Sequence, residues 1–487
     1  MGSASISGPA PPSPATWLLV FAGPALRSSL LGGLLVAEAA IGEELGLSSI
    51  GLSILFECVV FGNLLAVIIL PSLISGWGIR TSSLLTIFLT LAYLAAGVVF
   101  ASWLPPGLPT TVVMYASAAV LGFLVAVPSP ITQTLLNDAT PADSHARRSL
   151  QSAWSAGLPV GFVVASLIGG ILLQYLDWWS ALLVPLLFAI LCALSLLDRR
   201  VFACEVQSRP DPAPPFSEIA VVVLALVVFE IWTAWGSLRS WFDIEVVVAF
   251  VATIAATAFA VKRLRSADMP IISVEPYAVT GFAAAAVLLF LYQIPTTAEY
   301  EVLLLTELDK VSSEMIGNRT AIGNVGQVVG TALAAGLMYR RLYGLALAAG
   351  FGLTIVALGS YVAYPWLYGD GYIIATRTIA GFGSGLITPV LFVLALFRMP
   401  VPLQLAAGTW LVLATIGGTE IGLNVFDFVM EVADHVSGSN LTGYLTVECT
   451  QLAFGVGTAA LAALLVLRRK LDIRTAAVAA APPQGRD

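Results

Sequence analysis

The sequence predicts an all-α membrane protein with fourteen transmembrane helices, arranged as two six-helix bundles plus an inserted two-helix hairpin, and three observations carry that prediction. The 487 residues are 58% hydrophobic and only 10% charged, with a mean hydropathy of +0.93, whereas soluble domains carry about 25% charged residues. Apolar runs recur at roughly the 20-residue length that one helical span needs. The cations are sorted to one side of those runs. Only helices or closed barrels satisfy every backbone group in lipid, and long continuous apolar runs select helices.

In chain order, the first 15 residues, MGSASISGPAPPSPA, are small and Pro-rich and lack a basic start. The run behind them is too long for a signal peptide, so a disordered tail and an uncleaved first span are expected. Apolar runs fall near 16–40, 50–73, 82–103, 111–136, 153–175, 180–198, 217–237, 244–262, 279–304, 315–338, 343–365, 372–397, 404–431 and 443–467. The chain then divides into a tail 1–15, a first bundle 16–200, a loop and inserted hairpin 201–265, a second bundle 266–470 and a tail 471–487.

Placing the N-terminus in the cytoplasm puts Arg80, Arg147, Arg148, Arg199, Arg200, Arg209, Lys262, Arg263, Arg265, Arg340, Arg341, Arg398, Arg468, Arg469, Lys470, Arg474 and Arg486 inside. Only Arg239 and Lys310 fall outside. That asymmetry fits the positive-inside rule and would be scrambled by one miscounted span. Trp103, Trp178, Trp179, Trp241 and Trp366 are expected at outer ends as an interfacial belt. A multi-pass protein of a bacterial inner or plasma membrane, with both termini cytoplasmic, is the expected setting.

Two stretches repeat. Residues 377–389 read RTIAGFGSGLITP and residues 118–130 read AAVLGFLVAVPSP, so Gly122 and Pro130 recur as Gly381 and Pro389 at an offset of 259. Arg80 recurs near Arg340 and Arg341. Repeated halves of a polytopic protein pack about a central site, as in transporters.

These stretches resemble the major facilitator superfamily, and the fourteen-span count with its central hairpin resembles the drug:proton antiporter subfamily, over residues 16 to 470. IGEELGLSSIGLSILFECVVFGNLLAVIILPSLISGWGIR is similar to its first-to-second span pattern, YLDWWSALLVPLLFAI to its turn into span 6, and VKRLRSADMPIISVEPYAV to its loop into span 9. The loop motif after span 2 stands as Pro71-Ser-Leu-Ile-Ser-Gly-Trp-Gly-Ile-Arg80, with Ser75 at the acidic position and Arg80 in a gating role by resemblance. The span 5 antiporter motif keeps Gly161, Gly169 and Gly170 as expected packing residues, with Ala165-Ser166 replacing Gly-Pro. The family's span 1 aspartate aligns near Leu30 and its span 4 arginine with Ala118, so the usual proton-handling residues of the first half are absent. The span 4 pattern Arg-xxx-Gly-x-Gly stands instead in span 12, as Arg377, Gly381, Gly383 and Gly385.

On a helix Arg377, Gly381 and Gly385 share one face, where small residues admit a neighbouring backbone and leave room for a guanidinium. The alternative is an arginine snorkelling to the outer interface. A charge deep in a span costs at least about 2.5–3.5 kcal/mol, so each is a functional candidate that needs a partner. Glu420, Asn424, Asp427 and Glu431 are spaced 4, 3 and 4 along span 13 and share a face. Stacked acids in lipid favour holding a proton; alternatively Glu431 belongs to an outer loop with Asp434 and His435. Arg27 and Glu38 in span 1 stand about 16 Å apart by helical rise, too far to pair. Glu57 in span 2, Glu230 in span 7 and Glu448 in span 14 also need partners. For Glu230, interfacial and transport roles are both open. Pro295 breaks span 9, where Gln293, Thr296, Glu299 and Tyr300 could bind substrate; alternatively the kink serves packing alone.

Glu420, Asp427, Glu38, Glu57 and Arg377 are therefore expected in proton coupling. Asn424 and Arg27 join the span 9 residues as substrate-binding candidates. The expected function is proton-coupled export of a lipophilic small molecule by alternating access, and the excess of acids would suit a cationic one. Proton-coupled uptake, lipid translocation and a non-transporting sensor or scaffold are the alternatives. No lysine follows a glycine as a P-loop requires, His145 and His435 are the only histidines, and neither HExxH nor GxSxG occurs. Neither ATP hydrolysis nor another enzyme activity is expected, and no cofactor or metal. Cys58, Cys192, Cys204 and Cys449 form no CxxC pair or disulfide framework. The expected partners are substrate, protons and the bilayer, with a periplasmic adaptor in a Gram-negative cell; the net charge of −7 comes without a basic patch for nucleic acid.

Overall fold

The computed structural model describes residues 12–100, 108–140, 144–202, 216–266, 272–296, 313–367, 369–397, 399–400, 403–468 and 471. Thirteen helical segments among them are long and apolar enough to cross a membrane, and the shorter apolar helix Phe282–Thr296 stands where span 9 is predicted. Helix α1 (Pro14–Leu45) starts at Ser13, whose hydroxyl accepts from the Thr16 amide, and stops at Gly46, in the left-handed region at φ 64°. Helix α2 (Ser49–Phe100) carries predicted spans 2 and 3 and is broken at Gly78, whose φ of 78° and ψ of 155° disfavour a side chain. Span 4 is two helices, α3 (Leu108–Ala126) and α4 (Pro128–Ala139), because Pro128 and Pro130 cannot donate to the helical ladder.

From there each helix is one predicted span: α5 (His145–Leu173), α6 (Leu183–Leu196), α7 (Phe216–Leu238), α8 (Ile244–Ser266), α9 (Phe282–Gln293), α10 (Ser313–Tyr339), α11 (Tyr343–Leu367), α12 (Asp370–Leu396), α13 (Gln404–Ser437) and α14 (Asn440–Leu467). Span 9 changes to a tighter turn at Ile294–Thr296, around Pro295. Helix α13 continues through Glu431, Asp434 and His435, so these residues are helical and not an outer loop.

The repeated glycines do matching work in the two halves. A Cβ on Gly122 would strike the Val59 carbonyl of α2, and a Cβ on Gly381 would strike the Gly323 carbonyl of α10. Gly385 meets the Gln327 carbonyl in the same way. The volume missing beside Arg377 is thus filled by the α10 backbone and is not an open chamber.

The two halves share one apolar core at the end that carries the arginine-rich turns. Val20, Leu64, Val67, Leu136, Leu150 and Trp154 of the first half join Leu386, Val390, Phe392, Leu396, Ala407 and Leu411 of the second. The Trp154 and Phe392 rings lie 5.0 Å apart, and Arg148 Nη1 donates to the Met338 carbonyl at the end of α10 across 3.1 Å. Toward the other end, Leu358, Tyr361, Tyr364, Ile373 and Tyr444 form a cluster of the second half alone. The halves are therefore closed together at the basic end.

The tryptophan belt is only partly realised. Trp366 is 67% exposed, but Trp178 and Trp241 are 4% and 8% exposed and turn inward. Trp103 lies outside the described residues.

Candidate functional site

Helices α2, α7 and α13 meet along one seam, so the inserted hairpin touches both halves. Within the hairpin, Arg263 Nε reaches buried Glu218 at 2.8 Å, and the Thr253 hydroxyl bonds the Val228 carbonyl. A rigid pair of helices thus presents Glu230 to the bundles.

At the seam, the side chains of Glu57 on α2 and Glu230 on α7 lie within hydrogen-bonding reach of each other. Two carboxyl groups can bond in this way only with a proton between them. Glu420 on α13 acts electrostatically on Glu230 and on Arg27 of α1. Glu420 thus faces the hairpin carboxyl on one side and a guanidinium of the first half on the other. Glu57 Oε2, Glu230 Oε1 and Arg27 Nε are buried without hydrogen-bond partners, although each residue as a whole is partly exposed. Such a cluster can hold a proton and exchange it.

Farther along α13 the acids serve a different contact. Trp241, in the turn between α7 and α8, donates from Nε1 to Asp427 Oδ2 at 3.3 Å and from its backbone amide to Glu431 Oε2 at 2.8 Å. The Ser240 hydroxyl donates to Glu431 Oε1. Gly236 supplies the socket, because a Cβ there would collide with the Trp241 ring. Asn424 is buried and donates to the Glu420 carbonyl at 2.8 Å.

The other predicted residues are dispersed. Glu38 is half-buried near the far end of α1 and makes no ion pair among the described residues. Arg377 is 5% exposed, with its Cβ against Gly323 of α10, so it does not snorkel. Gln293 packs against Gly418 of α13, and the Thr296 hydroxyl is taken by the Tyr292 and Gln293 carbonyls. Glu299 and Tyr300 lie outside the described residues. Gly161 packs on Ala25 of α1, Gly170 makes an ordinary contact with Val36, and Gly169 meets nothing within 4 Å. Arg80 stacks on the Phe202 ring, 5.9 Å from its centroid.

One polar pair had no signal in the sequence. Gln133 Nε2 on α4 donates to Gln151 Oε1 on α5 at 2.7 Å, fully buried beside Gly408 of α13. Two isolated glutamines 18 residues apart fit no spacing rule.

The Major Facilitator Superfamily family model matches residues 17–305. The chain belongs to the major facilitator superfamily. Its fold is similar to that of the human organic anion transporter MFSD10 (TETRAN), at 15% identity and TM-score 0.63 over 93% of this chain and 100% of that one. It is similar to the proton:xylose symporter XylE, at 15% identity and TM-score 0.60 over 93% and 95%. A bacterial homologue of the iron transporter ferroportin in its outward-facing state aligns at 14% identity and TM-score 0.59 over 92% and 98%. At these identities the likeness is one of fold. Members of the superfamily are transporters and not enzymes, and this fold makes the chain an integral, multi-pass secondary transporter of a small molecule.

Proposed function

We infer that this superfamily member is a proton-coupled exporter of a lipophilic, cationic small molecule, with Glu57, Glu230, Glu420 and Arg27 as its coupling centre. The observation that carries the reading is the carboxyl pair Glu57–Glu230, held beside Glu420 where both halves and the hairpin meet. Alternating access moves the halves relative to each other. A proton shared across their seam is therefore sensitive to the state of the transporter. Arg27 interacts with Glu420 beside that proton, which links the protonation of the cluster to the position of α1 relative to α13. Asp427 and Glu431 anchor the hairpin in this scheme. With the basic end cytoplasmic, closure there makes the conformation outward-facing, ready to release cargo and take up protons. The hairpin's place in the seam supports membership of the fourteen-span antiporter subfamily.

The test uses proteoliposomes with an imposed pH gradient and ethidium as the lipophilic cation. The Glu57→Gln, Glu230→Gln variant should lose gradient-driven ethidium movement more than tenfold and keep ethidium counterflow. Full gradient-driven flux in that variant would sink the coupling assignment. An absence of counterflow in the unaltered protein would favour the scaffold reading.

A further inference from the structure

A cavity lies inside the first half, away from the seam. It holds about 290 Å³ between α1, both arms of α2, α3 and the turn before α6, near the lower limit of small-molecule pockets of roughly 300–1,000 Å³. Leu34, Ala118 and Leu121 line its depth, and Phe100, Val113 and Trp178 its rim. Its mouth is apolar and open, with Phe100 and Val113 59% and 53% exposed. A buried water needs two to four polar partners, and these walls are almost wholly apolar, so water is a poor occupant.

The rim carries one unanswered donor. Trp178 is 4% exposed, and its indole Nε1 has no hydrogen-bond partner. A buried donor left unpaired is costly, so an acceptor that arrives with the occupant would be held there. Depth identifies the occupant. Phe100 ends one membrane-crossing segment, Trp178 begins another, and Val113 lies close to the start of a third at Thr111. The rim therefore sits at the membrane interface, where the ester carbonyls of bilayer lipids lie. Leu121 is ten residues below Thr111 along its segment, about 15 Å deeper by helical rise and close to mid-bilayer.

We propose that this cavity holds one acyl chain of a bilayer phospholipid, with the lipid's ester carbonyl accepting a hydrogen bond from Trp178 Nε1. Ala118 decides the chain's access. A polar or long side chain at that position would fill the space that the hydrocarbon needs.

The test is photolabelling of the full-length protein in nanodiscs made with a phosphatidylcholine that carries a diazirine in its acyl chain, followed by peptide mapping. Labels should fall within 93–100 and 113–121. Ala118→Phe should cut labelling of those peptides at least tenfold while leaving labels on the outer faces of α7 and α8 unchanged. Trp178→Phe keeps the shape and removes the donor, and should cut it severalfold. Equal labelling in unaltered protein and Ala118→Phe would overturn the proposal. So would capture of a free diazirine palmitate with no capture of the phospholipid, because the source would then not be the bilayer lipid.

Discussion

The Trp241 indole donates to Asp427 across 3.3 Å while its own backbone amide holds Glu431, so one residue of the inserted hairpin occupies two acids of the second half. Its ring stands edge-on to Trp232, 5.7 Å away, and to Phe428, 6.3 Å away. The hairpin tip is therefore a packed plug with its polar groups satisfied. Trp241→Ala should cost about 3–5 kcal/mol, the range for large aromatic truncations in packed sites, and lower the thermal unfolding midpoint in detergent. Asp427→Asn should cost under about 1 kcal/mol, because an amide oxygen still accepts from the indole. A larger loss in Asp427→Asn than in Trp241→Ala would refute the plug.

The glycine ladder between α10 and α12 makes a sharper prediction. Gly381 and Gly385 would each put a Cβ into an α10 carbonyl, so Gly381→Val should force the helices apart and cost at least about 1–3 kcal/mol of overpacking. Gly122→Val should do the same in the first half, against Val59. Gly169→Ala, with nothing within 4 Å, should be neutral, or stabilising by up to about 1 kcal/mol through helix propensity. Unfolding midpoints of the three variants, measured side by side, decide the matter.

Closure at the basic end rests partly on Arg148, which donates to the Met338 carbonyl of the other half. A charged donor on a partly buried carbonyl contributes on the order of 1.5–3 kcal/mol. Arg148→Ala should therefore favour the state open at that end by about ten- to a hundredfold, using about 1.4 kcal/mol per decade. Spin labels at the exposed positions Leu197 and Leu342 report it as a longer distance population in pulsed EPR. An unchanged distance distribution would show that the apolar core of Trp154 and Phe392 closes this end unaided.

Much of this architecture was legible because lipid imposes strict rules on sequence. Span length, cation placement and the spacing of Gly122 and Gly381 each follow from a local constraint. Arg377 was legible as buried, but the space beside it was not, because residue spacing along α12 says nothing of how closely α10 approaches. The seam was hidden for a similar reason. Glu57, Glu230 and Glu420 stand on three helices separated by long stretches of chain, and only the docking of the hairpin joins them. The helical period of the α13 acids predicts one shared role in proton coupling, whereas the acids face different neighbours at different depths. The belt rule does not separate Trp178 and Trp241 from interfacial tryptophans, because an indole at a span end satisfies it whether it points to lipid or inward.

Arg27 and Glu420 supply the most direct test of communication between the halves, since α1 and α13 belong to different bundles and their side chains interact electrostatically. Removing one of two opposite charges that interact in a low-dielectric interior leaves the other less well compensated. Arg27→Gln and Glu420→Gln should therefore each lower thermal stability strongly. The double variant should be less damaged than the two single losses combined, because two neutral amides leave no stranded charge. A coupling energy of about 0.5–3 kcal/mol is expected for residues of one electrostatic network. Strict additivity would mean that Arg27 answers another acid, and Glu420 would then hold its place in the seam through Glu230 alone. The cycle should be run at two pH values, because the shared proton of Glu57 and Glu230 changes what charge Arg27 has to balance. A coupling energy that grows as the cluster loses its proton is the outcome that ties the interaction of Arg27 with Glu420 to proton movement.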